Sequence, residues 1–437
     1  MGSKNLNINN INVREACLKS LVDYGKNQKY SNIELNSALN KYNFDDLNRS
    51  FFTKLFYGVI EKKLTLDFYI DALSHKKNKD PRVLNILRMG LYQFIYMDKV
   101  PDGAACGESV NLAKKLKNQQ AAGYINAILR NFLRNREELE EKLNRLNNLE
   151  IKYSCSSDII KIWEESYGLE TAEKILKSSV ENCGMTLAAN ALKISAEDYF
   201  DKLNNNNIEV ERTEISPHGI IIKDNIPVKK IYGFEEGLFF VQDEASQICA
   251  LETGAKPGDL VFDCCAAPGG KSFFIAGNMM KNKGAIICLD IHGNKLGLIN
   301  SSAKRLGIDI IETYEQDVSV KFNKFNINSA DVVLCDVPCS GLGVISKKPE
   351  IKYKSIGEIS KLPKVQFEIL SECSNYVKPG GTLVYSTCTL NKKENEEIIE
   401  KFLGTNKNFE CINIKTFFPF ERKIDGFFLA KMKRIGV

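Results

Sequence analysis

Apolar side chains recur every three to four positions from about Asn10 to Arg136. Val13, Cys17, Leu18, Leu21 and Val22 make one such face, and Leu84, Ile86, Leu87, Leu91, Ile95 and Tyr96 make another. That spacing turns one side of each segment toward a core and predicts amphipathic helices. Glycine and proline are few here. Asp80-Pro81 and Val100-Pro101-Asp102-Gly103 read as helix boundaries, because proline has no amide hydrogen to offer a helix interior. Residues 1–136 are therefore expected to form an all-helical domain. The charged run from Arg134 to Glu150 reads as a solvated linker helix. From Tyr153 to Phe240 the pattern is mixed, with a helix over Ile159–Tyr167, a strand-like Gly219-Ile220-Ile221-Ile222 and a polar turn at Asn204–Asn207. Trp163, the only tryptophan, reads as a packing residue. Residues 137–240 are expected to be this linker helix and a small α+β insert.

Past Asp259 the period changes. Short apolar runs at Leu260–Phe262, Ala285–Asp290, Ile310–Glu315, Val332–Cys335 and Thr382–Ser386 predict strands. Helical spacing between them predicts Ser272–Met280, Asn294–Leu306, Pro363–Val377 and Glu394–Leu403. Such alternation implies a parallel sheet covered on both faces. Gly426–Met432 reads as a late strand returning along an edge. The expected fold is multidomain α and α/β, with a Rossmann-like sheet over residues 241–437.

Composition narrows the class. Hydrophobic residues are 43% and charged residues 26% of the 437, the proportions of a globular protein with about three domains. Apolar stretches fall well short of the roughly 20 residues that cross a bilayer. The start of the chain lacks the apolar core of a secretory signal, and Leu6 stands where myristoylation after Met1-Gly2-Ser3 requires serine or threonine. A cytoplasmic protein without a membrane partner is expected. Thirteen cysteines without a Cys-x-x-Cys pair read as reduced thiols, and three scattered histidines (His75, His218, His292) give no reason to expect a metal. Nothing requires more than a monomer. The net charge of +5 is uneven: residues 1–136 carry 22 lysines and arginines against 12 acidic residues, a net of +10, leaving −5 for the rest. A basic front suits a polyanion. Charge alone fits a lysine-solvated helical surface equally well.

Candidate chemistry lies in the α/β part. Asp263-Cys264-Cys265-Ala266-Ala267-Pro268-Gly269-Gly270-Lys271 places a glycine-rich turn where a strand hands over to a helix. Ligands of such sheets bind beyond the carboxyl ends of the strands. Acidic residues recur at those ends: Asp290 after the second strand, Asp317 after the third, Asp336 after the fourth. A carboxylate after strand two suits the hydroxyls of a ribose. The turn alone also fits a nicotinamide or flavin, yet Gly-x-Gly-x-x-Gly is absent, which counts against a pyrophosphate. A cofactor with ribose and no phosphate fits better, and S-adenosylmethionine has that chemistry.

Two cysteines lie just past neighbouring strands, Cys339 in Asp336-Val337-Pro338-Cys339-Ser340 and Cys388 in Tyr385-Ser386-Thr387-Cys388-Thr389. Most cysteines are small core residues. These two stand beside proline or threonine, outside any apolar run. Carbon 5 of a pyrimidine is too weak a nucleophile to take a methyl group unaided. A thiolate adding at carbon 6 makes an enamine whose carbon 5 can attack, after which a base removes the carbon-5 proton and the thiol leaves. Asp336 stands beside these thiols, placed to bond the base edge. Lys271 is placed to hold a carboxylate or phosphate, or to acidify a thiol. The target base must be unstacked or single-stranded.

Residues 240–437 resemble the S-adenosylmethionine-dependent RNA cytosine-C5 methyltransferases of the NOL1/NOP2/Sun group. The markers are Phe240-Val241-Gln242-Asp243-Glu244-Ala245-Ser246, the turn to Lys271, the two cysteine segments and Asp425-Gly426-Phe427-Phe428. Residues 1–136 resemble the NusB-like RNA-binding domain through Arg14, Leu47-Asn48-Arg49, Leu87–Gln93 and Asn126–Asn131. The pair of resemblances covers the chain and implies small-subunit ribosomal RNA as the partner, with cytosine 967 of 16S RNA as the target. By resemblance, Cys265, Ala266, Ala267, Pro268, Gly269, Gly270 and Lys271 line the cofactor site. Asp290 takes the ribose hydroxyls, Asp317 lies against adenine, and Asp336 borders both methionine and base. Cys388 is then the nucleophile and Cys339 assists proton removal and release. The residues by themselves do not rank the two thiols, and the Pro-Cys pattern of DNA C5 enzymes gives Cys339 the first role. Two segments depart from the family. Tyr153-Ser154-Cys155-Ser156 replaces Tyr-Ser-His-Pro, which alters local packing. Leu187-Ala188-Ala189-Asn190 lacks the arginine before Asn190, which removes an RNA or catalytic-loop contact. Two other readings stay open: a transfer RNA cytosine-C5 methyltransferase, and a non-catalytic RNA-binding assembly or antitermination factor. The basic helical front speaks against the first; both thiols and three strand-end aspartates speak against the second.

Overall fold

A computed structural model describes residues 11–27, 31–74, 78, 80–116, 119–180, 184–224 and 226–436. Met1-Gly2-Ser3, Leu6, Asn10 and His75 lie outside them. The chain divides into two compact units, one of residues 1–161 with 345–354, the other of 162–344 with 355–437.

The first unit is helical. Val13–Asn27, Ser31–Tyr42, Asp46–Glu61, Lys63–Leu73, Pro81–Tyr96, Asp102–Lys115 and Gln119–Arg134 enclose one apolar core built around Phe52, Leu55, Phe56, Ile86, Leu87 and Phe132. Asp80 caps its helix through the amide of Arg82, with Pro81 in the first turn, and Pro101 precedes the helix at Asp102. The charged run is two helices, Arg136–Arg145 and Leu149–Tyr153, and Leu139 is buried in the same core. It is thus part of this unit rather than a solvated linker. Most marker residues here hold the fold: Arg14 donates to Gln93 Oε1 at 2.7 Å, and Arg88 makes a forked pair with Asp67 at 2.7 and 2.8 Å. Residues 345–354 join this core. The Tyr353 hydroxyl donates to Ile60 O at 2.8 Å, and Lys352 is fully buried, which pushes its pKa down to about 8. At the first departure from the family, Ser154 is left-handed and its hydroxyl accepts the amide of Leu64, while Cys155 is buried.

The second unit carries two sheets. Strands β1 (Met185–Ala189), β2 (Val210–Arg212), β3 (Gly219–Ile222) and β4 (Phe239–Val241) form an antiparallel sheet in the order β2-β3-β1-β4. The helix Ala196–Asn205 takes in Asn204 and Asn205, leaving only Asn206 and Asn207 to the expected polar turn. Trp163 is fully buried. Asn190 donates to Gly237 O and Leu306 O, so it serves as a buried tie within this unit.

The larger sheet contains β5 (Leu260–Asp263), β6 (Ala285–Asp290), β7 (Ile311–Glu315), β8 (Ala330–Asp336), β9 (Val377–Thr387), β10 (Phe409–Phe417) and β11 (Phe427–Arg434). Their order is β10-β11-β9-β8-β5-β6-β7, with β5 to β9 parallel and β10 and β11 antiparallel. Apolar layers cover both faces. The five expected parallel strands and the late strand are present. The helix expected over Pro363–Val377 ends at Ser374, because Val377 pairs with Ala330 in the β8–β9 ladder. Strand β10 escaped the sequence reading, since it is an edge strand with only Phe409 buried and no clean alternation.

Candidate active site

Strands β5 and β8 are neighbours, but the chain runs from β5 outward to β6 and from β8 outward to β9 on the opposite side. A crevice opens at the carboxyl ends where the order reverses. The turn after β5 lies in it. Gly269 has φ +102°, and a Cβ there would stand 2.5 Å from the ring of Phe273, so only glycine fits. Its amide donates to Ala266 O at 2.6 Å, and the Ala267–Pro268 bond is cis. Asp290 holds the outer side of the turn: one carboxylate oxygen accepts the amide of Ala267 at 3.1 Å, the other that of His292 at 2.9 Å.

A cavity of about 180 Å³ lies against this turn, lined by Gln242, Ser246, Asp263, Cys265 to Pro268, Gly270, Lys271 and Asp336 among others. Asp290 and Asp317 are outside that lining. Asp317, beyond β7, accepts from both the amide and the hydroxyl of Ser319. Gln242 is buried with both amide atoms lacking a partner, and Asp263 Oδ1 is likewise unpartnered, although Ser272 Oγ bonds its other oxygen at 2.5 Å. Unsatisfied buried polar atoms beside a cavity are what an absent polar ligand leaves behind. The ammonium and carboxylate of an amino-acid moiety match Asp263 and the Gln242 amide, so these residues fit S-adenosylmethionine.

Burial pushes the Asp263 carboxyl up to about 7 from 3.8, with Asp336 adding to the rise. Because the folded value is the higher one, the unfolded chain releases this proton first. The carboxyl therefore lowers stability progressively as pH rises from about 4 to about 7, by an amount on the order of 4 kcal/mol. Asp263→Asn, which keeps an acceptor for Ser272, is expected to flatten that slope. Denaturant midpoints of both proteins at pH 5 and pH 8 measure it, and equal slopes refute the assignment.

Lys271 and Asp336 meet at the mouth of the crevice. The Lys271 ammonium is 2.7 Å from Asp336 Oδ2, 3.5 Å from Ser246 Oγ and 5.2 Å from the centre of the Phe427 ring. Burial is the largest single influence and opposes its charge, but Asp336, Cys249 and Asp263 together outweigh it and hold its pKa above the usual lysine range. Asp336 Oδ1 accepts from Ser386 at 2.8 Å, because these residues are register partners on β8 and β9. The same pairing brings the thiols together. Cys388 follows the end of β9, Cys339 lies three residues past β8, and their sulfurs are 3.3 Å apart. Cys339 is held well above the ordinary thiol range, first by its hydrogen bond with Cys388, then by burial, with Glu394 and Asp336 contributing. Another trio of thiols, Cys264, Cys335 and Cys373, is sealed in an apolar layer of the sheet and reads as core.

The structure thus gathers Cys265 to Lys271, Asp336, Cys339 and Cys388 at one end of the sheet. Sequence reading passed over Gln242, Asp263, Ser386 and Glu394. Asp263 and Gln242 stand inside motifs already singled out, and their polarity at buried positions was the available signal. Ser386 also stands inside a marker, but its role, like that of Glu394, comes from a partner about 50 residues away.

Comparison with known proteins places this geometry. A probable ribosomal RNA small subunit methyltransferase B from Bacillus subtilis (strain 168) is 35% identical over 448 residues, spanning 97% of this chain and 99% of its own. The chain belongs to the ribosomal RNA small subunit methyltransferase B family. A relative of the same description from Synechocystis sp. is 31% identical, over 97% of this chain and 100% of its own. The 16S rRNA methyltransferase RsmB/F family matches residues 250–433, the NusB family 11–134 and the RsmF/B-like ferredoxin-like domain 158–229. The helical unit is therefore NusB-like, and the small sheet falls partly within the ferredoxin-like match. The crystal structure of PH0851 superimposes with a TM-score of 0.81 at 26% identity, over 97% of this chain and 99% of that one. NSun6 from Pyrococcus horikoshii, solved with SFG, shares the fold with a TM-score of 0.59 at 22% identity, over 64% of this chain and 99% of its own. As a member of the methyltransferase B family, the chain is an S-adenosylmethionine-dependent RNA methyltransferase. Among the described residues no helix is long and apolar enough to cross a membrane.

Proposed function

We propose that the chain methylates carbon 5 of a cytosine in small-subunit ribosomal RNA, cytosine 967 of the 16S molecule, through a covalent bond from Cys388 to carbon 6. The observation that carries this reading is the pair of half-buried thiols, 3.3 Å apart, beside an aspartate bonded to a buried lysine. Residues Cys265 to Lys271 hold the cofactor, with Asp290 toward the ribose and Asp317 toward the adenine. S-adenosylmethionine supplies an electrophilic methyl group when bound.

The protein's own part follows from its charges. Cys339 keeps its proton and donates toward Cys388, which stabilises the thiolate at Cys388. That thiolate adds to carbon 6, and the ring electrons move to carbon 5. Asp336, fixed by Lys271 and Ser386, bonds the amidine edge of the cytosine and supports charge on the ring nitrogen as the adduct forms. After carbon 5 is alkylated its proton must leave, the ring double bond re-forms and Cys388 departs. Cys339 assists both steps: its proton passes to the Cys388 sulfur as that sulfur leaves, and the Cys339 thiolate so formed takes the carbon-5 proton, directly or through water.

The test is methylation of unmodified 16S ribosomal RNA by purified protein, with nucleosides from the digested product identified by mass spectrometry. 5-Methylcytidine at one site is expected. Methylation of transfer RNA alone, or of another atom, overturns the proposal.

The basic residues 1–136 are assigned to RNA capture and 241–437 to catalysis; within 137–240 the charged run packs in the helical unit, and the small α+β part is assigned to RNA contact. Lysine and arginine displace counterions from phosphates. Affinity of the full chain for its RNA is therefore expected to fall about tenfold or more between 50 and 200 mM salt, as a titration by fluorescence anisotropy reads. A flat response removes the electrostatic role of the front end.

A further inference from the structure

We infer that Glu394 is a positioning residue of the methyl-transfer site, its buried carboxylate tying the loop of Cys339 to the loop of Cys388 and so setting the distance between the thiols. The inference rests on the thiol roles proposed above.

Glu394 is fully buried just ahead of the helix Glu396–Thr405. Its Oε2 accepts the amide of Ser340 and the side-chain amide of Gln366, both at 2.9 Å, and its Oε1 accepts Ser340 Oγ at 2.5 Å and Asn391 Nδ2 at 2.8 Å. Ser340 follows Cys339. Gln366 also donates to the carbonyl of Pro338, the residue before Cys339, at 2.9 Å. Both chain neighbours of that thiol are therefore held through one carboxylate. On the other side, Ser340 Oγ lies 2.6 Å from Thr389 Oγ1, and Thr389 follows Cys388. The amide of Gly343 donates to the carbonyl of Cys388 itself at 3.1 Å.

Energetics make the arrangement specific. A buried carboxylate costs several kcal/mol unless hydrogen bonds replace its water. Here the four donors contact both oxygens, and none belongs to a lysine or arginine. An apolar side chain would fill the same space without that cost, but it would bind neither loop. The carboxylate is complementary to this one arrangement of Ser340, Gln366 and Asn391.

The experiment uses full-length wild type, Glu394→Gln, Glu394→Ala and Ser340→Ala. Glutamine keeps an acceptor for the Ser340 amide and Gln366, while Ser340 Oγ turns to donate to Thr389 and Asn391 flips its amide. The thiol spacing is read without RNA or cofactor, as the rate at which diamide joins Cys339 to Cys388. In that reaction the two thiols lose two protons and two electrons to the azo oxidant, which becomes a hydrazine. Glu394→Ala is expected to slow this coupling about tenfold and kcat about a hundredfold, with KM for RNA within twofold, because a displacement near 1 Å is enough for such losses. Glu394→Gln is expected to restore most of both rates. Should Glu394→Ala fail to fold, Ser340→Ala carries the same test, since it removes only the hydroxyl link between the loops. Coupling rates equal to wild type in Glu394→Ala or Ser340→Ala overturn the inference whatever the activity. Slowed coupling together with a wild type that transfers no methyl group rejects the proposed function and leaves the positioning role standing.

Discussion

Replacing Cys388 with alanine is expected to lower methyl transfer by about 10⁴-fold or more, while Cys339→Ala is expected to trap RNA on the protein. The two thiols look alike in composition and in exposure, so the difference must come from their surroundings. Cys339 is held above the ordinary thiol range by its hydrogen bond with Cys388, by burial and by the charges of Glu394 and Asp336, which favours its protonated form and suits it to donate rather than attack. The thiol that more readily gives up its proton is the better nucleophile at neutral pH. On the proposed mechanism no adduct forms without Cys388. Without Cys339 the adduct forms, but removal of the carbon-5 proton and departure of Cys388 lose their assistance. Denaturing gels of each variant with cofactor and 16S RNA read the outcome directly: a slow-migrating species from Cys339→Ala alone. An adduct from Cys388→Ala alone would reverse the two roles.

Lys271→Met is expected to lower kcat by about 10²- to 10³-fold and to destabilise the protein by roughly 1–2 kcal/mol, between the values for exposed and fully buried pairs. The side chain of Lys271 is only 10% exposed, and its ammonium is the cation bonded to Asp336. Methionine fills the space but leaves the Asp336 carboxylate, which is 30% exposed, with Ser386 as its remaining side-chain donor. The stability term follows from that uncompensated charge. The catalytic term follows from the role proposed for Asp336 at the base edge, because Asp336 then loses the partner that fixes its orientation. Lys271→Arg is not expected to rescue, since a planar fork does not match a pocket built around one ammonium between Ser246, Asp336 and Phe427. Denaturant midpoints and steady-state kinetics separate the two effects. Wild-type kcat in Lys271→Met would confine the lysine to a structural role.

Much of the larger sheet was legible because its central strands are buried on both faces and so read as compact apolar runs between helical ones. Val332–Cys335 was found this way, and its true extent, Ala330–Asp336, adds only the ends. Phe409–Phe417 was not found, because an edge strand facing water carries no such run. The helix Glu244–Glu252 was hidden inside a family marker. Its Glu244 accepts the amides of Ile215 and Ser216, and Asp243 caps it, so part of that marker is structural. Another marker has a steric cause: a Cβ on Gly343 would stand 1.8 Å from the carbonyl oxygen of Gly426, and their backbones hydrogen-bond. The glycine of Asp425-Gly426-Phe427-Phe428 lets the loop after Cys339 pass beside the start of β11.

The sequence by itself determined the helical front, the alternating α/β part and the set of reactive groups at the strand ends. Those properties are local: a residue's neighbours within about one turn decide its periodicity, and a strand end is marked by where an apolar run stops. Only the tertiary structure decided that Asp290 braces the turn at Ala267, that Lys271 spends its charge on Asp336, and that residues 345–354 belong with the helical unit. It alone placed the two sulfurs at 3.3 Å and set Glu394 behind Ser340. Within the α/β part these depend on strand order and register, which bring together residues tens of positions apart, and no local pattern encodes which strand lies beside which.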